Sequence, residues 1–134
     1  MSKPTVILLE DDDAQKLVAT TVLRNAGYRV IDGMSIGDQF PSGTVAVVVD
    51  WMMPLPMEDQ RDVLLRKSRA SGVPACITSS CADHLEGIAP DDVTLLPKDG
   101  VAGPVLDWLR RIAPARPSKK LSGVLASFLA AFSG

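Results

Sequence analysis

The sequence predicts an α/β domain with a (βα)5 rhythm, five short strands in one doubly wound parallel sheet with helices on both faces. Three observations carry this reading. The apolar runs, clearest at 6–9 and 45–49, are short, continuous and rich in β-branched residues, as in strands buried on both faces. Stretches with helical spacing or turn signals separate them, and alternating strands and helices demand right-handed crossovers and parallel pairing. The chain has 134 residues, 46% of them hydrophobic, which is enough to bury one real core and argues against disorder. Aromatic residues supply only 4%, so that core must be mainly aliphatic.

Taken in order, the run 6–9 is the first strand, stopped by the acidic run Glu10, Asp11, Asp12 and Asp13. A first helix follows over 14–26, with Leu17, Val18, Thr21 and Val22 at helical spacing. Asp12 or Asp13 can cap its start, and Gly27 stands where a left-handed terminator is wanted. Residues 28–31 read as the second strand. In 32–44, Gly33, Gly37, Pro41 and Gly43 surround one apolar anchor, Phe40, so a second helix there is short or irregular. The third strand, 45–49, ends at Asp50.

Beyond Pro54 and Pro56 a helix is expected over 58–70, with Val63 and Leu64 as contacts and Gly72 as its stop. A fourth strand at 75–78, a short helix at 82–88 and a fifth strand at 93–96 come next. Pro104 opens a last sheet-covering helix, whose stripe is Val105, Trp108, Leu109 and Ile112. The domain is therefore 1–113, followed by a linker and amphipathic helix in 114–134. In 118–133 the residues Leu121, Val124, Leu125, Phe128, Leu129 and Phe132 make a stripe too wide to stay in water. It packs on its own domain, a second copy, an output partner or, least favoured with only Lys119 and Lys120 as basic charge, a membrane surface.

Composition narrows the classes. A net charge of -2 gives no electrostatic case for nucleic acid. No apolar run is long enough to span a bilayer and no signal peptide is visible, so a soluble cytoplasmic protein is expected. Cys76 and Cys81 form neither a disulfide framework nor a metal-binding pair, and read as reduced thiols. His84, the single histidine, reads as an exposed, chemically idle imidazole.

In an open parallel sheet the functional crevice lies beyond the carboxyl ends of the strands, where strand order reverses. Charged and hydroxyl residues gather there: Glu10 and Asp11 after the first strand, Asp50 after the third, Thr78, Ser79 and Ser80 after the fourth, Lys98 after the fifth. If the order is 2-1-3-4-5, Glu10, Asp11 and Asp50 converge. Three close carboxylates repel unless a cation sits among them, and oxygen ligands with no His or Cys nearby favour Mg²⁺.

Those residues on those strands resemble the response regulator receiver domain of the CheY-like superfamily, over about residues 5–113. The resemblance implies a flavodoxin-like fold of order 2-1-3-4-5, in a signalling domain rather than an enzyme. It makes Asp50 the phosphoacceptor within Asp50-Trp51-Met52-Met53-Pro54, with Glu10 and Asp11 as the acidic pair and the main-chain carbonyl of Met52 as a further Mg²⁺ ligand. Ser79 takes the conserved hydroxyl position, one residue from its competitor Thr78, and Lys98 the invariant lysine. The implied partner is a sensor histidine kinase or histidine phosphotransferase. Asp50 would take the phosphoryl group while Mg²⁺ and Lys98 offset its charge, Ser79 would donate to it, and the interaction surface would change.

The chain departs from the family pattern at three places. Asp99 follows Lys98 where the family has a proline in a cis bond, and a cis Lys98–Asp99 bond would cost about 3 kcal/mol. Leu95 stands where an aromatic switch residue is usual. The Asp-Gly step that follows the phosphoacceptor loop is missing at Met57-Glu58-Asp59. Arg61, Arg66, Lys67 and Arg69 read as a solvated helix face, and Met53 as packing around the site. A phosphatase of the haloacid dehalogenase type would need a second acid where Met52 stands, and four consecutive acids would repel a nucleotide's phosphates. A degenerate receiver serving as a phosphorylation-independent interaction module is the remaining alternative.

Overall fold

The computed structural model describes residues 3–85, 87, 89–90 and 92–117, and in it strand and helix alternate as the apolar runs require. The elements are β1 (Thr5–Leu9), α1 (Asp13–Asn25), β2 (Arg29–Asp32), β3 (Thr44–Asp50), α2 (Met57–Ser71), β4 (Ala75–Ser79), β5 (Thr94–Pro97) and α3 (Gly103–Ile112), with 3₁₀ turns at Gly33–Ser35 and Ala82–Leu85. The strands form one parallel sheet in the order β2-β1-β3-β4-β5. Chain order and sheet order part company between β1 and β3, which pair directly.

Alternation along β1 explains its unbroken apolar run. Val6 and Leu8 face one layer, packing with Val22 and Leu23 of α1 and Trp108 and Leu109 of α3. Ile7 and Leu9 face the other, packing with Leu64 of α2, Met53 and Leu85. Both faces are therefore dry, and all five residues of β1 are buried.

Local signals place the helix ends. Asp12 caps α1 by accepting the Gln15 N–H at 2.9 Å, and Gly72 ends α2 in the left-handed region at φ +74°. Two expectations are corrected. Leu17 is 68% exposed, because Val18, Val22 and Leu23 form the inward stripe of α1 and residue 17 lies outside it. Ile112 is 40% exposed at the C-terminal end of the α3 stripe, whereas Val105, Trp108 and Leu109 are buried. As Gly33, Gly37, Pro41 and Gly43 predict, no regular α-helix forms over 32–44. Only the 3₁₀ turn Gly33–Ser35 appears, with Asp32 accepting the Met34 N–H at 2.9 Å. A side chain at Gly33 would stand 2.9 Å from Leu64 and 3.0 Å from Leu9, so the backbone itself packs on the core there. The described part of 82–88 is likewise a single 3₁₀ turn.

Residues after α3 fold back on the domain. The Tyr28 hydroxyl donates to the Ala113 carbonyl at 2.7 Å, Ala115 joins the α1–α3 core, and the Arg116 main chain lies directly over Gly27. The expected 118–133 helix and the His84 side chain lie outside the described residues. Among the described residues no helix is long and apolar enough to cross a membrane. Cys76 and Cys81 are both free thiols, and burial pushes the Cys76 thiol up.

Two glycines separate backbone strain from steric crowding. Gly27 (φ +103°) would carry its Cβ 2.0 Å from the Arg116 carbonyl oxygen, while Gly43 (φ +86°) faces open space. Gly43→Ala should cost only the left-handed penalty, about 1–2 kcal/mol. Gly27→Ala should cost clearly more in urea unfolding, since residue 116 must also move.

Candidate functional site

Strand register delivers the acids to one place. Leu9 pairs with Val49, so Glu10 and Asp50 stand at the same edge of adjacent strands. Asp50 pairs with Thr78 and Ser79 with Pro97, which sets Ser79 and Lys98 one residue further along their own strands. The result is a cleft of about 330 Å³ lined by Gln15, Asp50, Met52, Ser79, Ser80 and Lys98. Glu10 and Asp50 are buried, and Asp11 is exposed.

Carboxylate oxygens of Glu10, Asp11 and Asp50 all lie within 4.8 Å of one another. Lys98 Nζ is 2.7 Å from Glu10 Oε2 and 3.2 Å from Asp50 Oδ2. The second Glu10 oxygen accepts the Asp12 N–H at 3.2 Å. Burial raises the Asp50 pKa to about 6; the Glu10 charge adds to the rise and Lys98 opposes it. For Lys98, burial acts to lower the pKa, but hydrogen bonding and charge from Glu10 and Asp50 outweigh it and the value ends above normal. The all-oxygen donor set and its excess of negative charge fit a hard divalent cation such as Mg²⁺. Glu10, Asp11 and Asp50 could hold one, and Met52 lines the same cleft.

The two candidate hydroxyls separate. Thr78 is buried and its Oγ1 reaches only the Val49 carbonyl, at 3.5 Å. Ser79 lines the cleft with Asp50 and Lys98, and its Oγ accepts the Cys81 N–H at 3.0 Å, which leaves its own O–H proton free to donate.

Sequence reasoning missed Arg61, whose expected solvated position is wrong. It is 7% exposed, on the α2 face that carries the buried Leu64 and Ser68. Its guanidinium stacks 4.0 Å from the centre of the Trp51 ring, and Nη1 donates to the Trp51 carbonyl at 2.5 Å. Spacing was the available signal: 61, 64 and 68 share one helical face. Arg66 and Arg69 are exposed as expected, and Lys67 donates to the Asp38 carbonyl. Met53 is buried in the core, as expected, and Gln15, not singled out in the sequence, lines the cleft.

After Lys98 the chain takes a geometry of its own. The Lys98–Asp99 bond is trans; the one cis bond among the described residues is Leu55–Pro56. Asp99 Oδ1 accepts the N–H groups of Val101 at 3.0 Å and Gly103 at 3.2 Å, and so ties the loop to the start of α3. Leu95 packs, partly buried, against the α2-side core.

No protein-family model matches the chain, and no curated protein matches it in sequence. Its architecture does have counterparts. The Vibrio cholerae chemotaxis protein CheY4 superposes with a TM-score of 0.60 at 18% identity, covering 83% of this chain and 99% of that one. A chain from the complex of the P1 domain of CheA3 with CheY6 from R. sphaeroides gives 0.51 at 14% identity, covering 84% and 98%. The fold is that of the CheY-like response regulator receiver domains.

Because the folded Asp50 pKa lies above its ordinary 3.8, folding takes up protons on this group between the two values. In chelator, its contribution is fully present below about pH 4 and is lost as pH rises through about 6. The stability of Asp50→Asn relative to wild type should therefore increase from pH 4 to 7, as measured by urea unfolding at each pH.

Proposed function

We propose that the chain is a receiver domain of a two-component system, which accepts a phosphoryl group on Asp50 from a phosphohistidine. The observation that carries this is the Lys98 ammonium held between Glu10 and Asp50 at the mouth of a cleft that also contains Ser79. An Asp50 oxygen attacks phosphorus as the bond to the histidine nitrogen breaks, and that nitrogen leaves with the electron pair. Lys98 balances charge on the transferring oxygens, and Ser79 donates a hydrogen bond to one of them. Glu10, Asp11, Asp50 and the Met52 carbonyl would hold a Mg²⁺ ion, which would supply the remaining charge neutralisation when bound. Ionised Asp50 is the nucleophile, so metal binding and loss of the Asp50 proton are linked.

A sensor histidine kinase or histidine phosphotransferase fits as the donor. Met52 and Leu55, 71% and 69% exposed in the loop leaving Asp50, offer apolar contact to a protein rather than to a small metabolite. One structural neighbour comes from the complex of the P1 domain of CheA3 with CheY6, and a protein that carries a phosphohistidine, in the cytoplasm, is the partner we assign here. The domain serves signalling, and its catalysis is confined to its own acylphosphate.

Incubation with Mg²⁺ and a small acyl phosphate should add about 80 Da by intact mass spectrometry, the mass of one phosphoryl group. The adduct should be absent from Asp50→Asn and from samples in chelator. Lys98→Ala should slow its formation roughly a hundredfold. If wild type forms no adduct with acyl phosphate or with a phosphorylated histidine phosphotransfer domain, the phosphoacceptor reading fails and an interaction module remains.

A further inference from the structure

We infer that Arg61 is a positioning residue for the metal-binding end of the site: it holds the Trp51 carbonyl away from the acids, so that the neighbouring Met52 carbonyl is the main-chain donor they share. This deepens the receiver reading and rests on it. A guanidinium is costly to bury, and the helical face of Leu64 and Ser68 is one where an aliphatic residue would serve packing alone. Arg61 instead stands there with its charge satisfied from two directions. Asp62 Oδ1 lies 3.1 Å from both Nε and Nη2, and Glu58 Oε1 lies 3.8 Å from Nη2. The remaining reach goes to the loop: Nη1 to the Trp51 carbonyl and the guanidinium plane to the Trp51 ring.

Trp51 is thereby fixed at three points. Its N–H donates to the Thr78 carbonyl at 3.1 Å, its carbonyl accepts from Arg61, and its ring lies under the same guanidinium. The Trp51 carbonyl and the Met52 nitrogen share one rigid peptide plane, so anchoring that oxygen orients the chain entering Met52. The acid before Trp51 and the residue after it both line the cleft. Among the described residues no hydrogen bond takes the Met52 carbonyl. Arg61 thus acts on ligand geometry through Trp51, without touching the acids. Lysine cannot substitute, because a point charge on a flexible stem neither stacks flat on the ring nor holds the carbonyl through a fixed fork.

Calorimetric titration of the full chain with MgCl₂ tests this, with wild type, Arg61→Lys and Arg61→Leu compared and thermal unfolding run in chelator on each. Leucine fills the core face but frees the carbonyl, and lysine keeps the charge. Both should fold and bind Mg²⁺ roughly tenfold more weakly. A purely structural Arg61 would shift the unfolding midpoint and leave Mg²⁺ affinity alone, and folded variants within about twofold of wild type overturn the proposal. If neither variant folds, the wild-type Arg61 Nε–H signal in NMR decides: it should shift on Mg²⁺ saturation, and an unmoved signal overturns the proposal. Wild type that binds no Mg²⁺ defeats the receiver reading and this inference together, whereas wild type that binds beside unaffected variants defeats the inference alone.

Discussion

Glu10 and Asp50 end adjacent parallel strands, so the backbone register that builds the sheet also drives two carboxylates together in a place with little water. With Asp11 beside them, that repulsion must be met within a few ångströms or the strand ends would splay. Lys98 meets part of it, and its own position depends on the sheet. It follows β5, its N–H donates to the Ser79 carbonyl at 3.1 Å, and its ammonium bridges the two acids. One lysine against three carboxylates leaves the cleft short of positive charge. Burial first, and then the Glu10 charge, hold the Asp50 pKa up, and the same excess of carboxylate makes the cluster one that could hold a cation.

The remaining architecture keeps this arrangement from relaxing. Residues 6–9 are buried on both faces, so β1 cannot slip by one residue without turning each side chain into the opposite layer. β3 runs through Val47, Val48 and Val49 to Asp50, which pairs in register with Thr78. The acids are therefore held by apolar packing that contains none of the chemistry. On the α2 side the constraint is polar. Arg61 reaches from its helix into the loop after Asp50, so the loop's path is set by hydrogen bonding and stacking as well as by chain length.

The convergence of Glu10, Asp11, Asp50, Ser79 and Lys98 was legible because strand runs end sharply in this sequence, and charged or hydroxyl residues within two positions of the end of an apolar run land at the sheet edge. Arg61 was not legible from composition. Grouped with Arg66, Lys67 and Arg69 it looks like one basic face, but helical phase places it with Leu64 and Ser68. Leu17 fails for the converse reason: it fits the helical spacing, yet the α1 stripe is too narrow to include it. The reduced second helix was foreshadowed by Gly33, Gly37, Pro41 and Gly43. That Gly33 would press its backbone against Leu9 and Leu64 depends on long-range packing that no local pattern encodes.

The segment after Lys98 shows how a site can keep its charges while changing their support. With a trans bond to Asp99, the chain turns by a different device, an aspartate that accepts two main-chain N–H groups from the loop entering α3, where Ala102 sits at φ +59°. Leu95, three residues before the lysine, is packed against the α2-side core and has no ring to reorient. On the receiver reading, a phosphoryl group on Asp50 adds negative charge where Lys98 is already divided between two acids. A ligand or modification shifts a two-state equilibrium only through contacts that differ between the states. Here the contacts able to differ are the sharing of the Lys98 ammonium and the Ser79 hydroxyl, whose oxygen is anchored by the Cys81 N–H. Both belong to turns at the ends of β4 and β5, and Asp99, next to Lys98, is hydrogen-bonded to the start of α3, so on that reading added charge at Asp50 would act first on these turns and on the loop that Asp99 ties to α3.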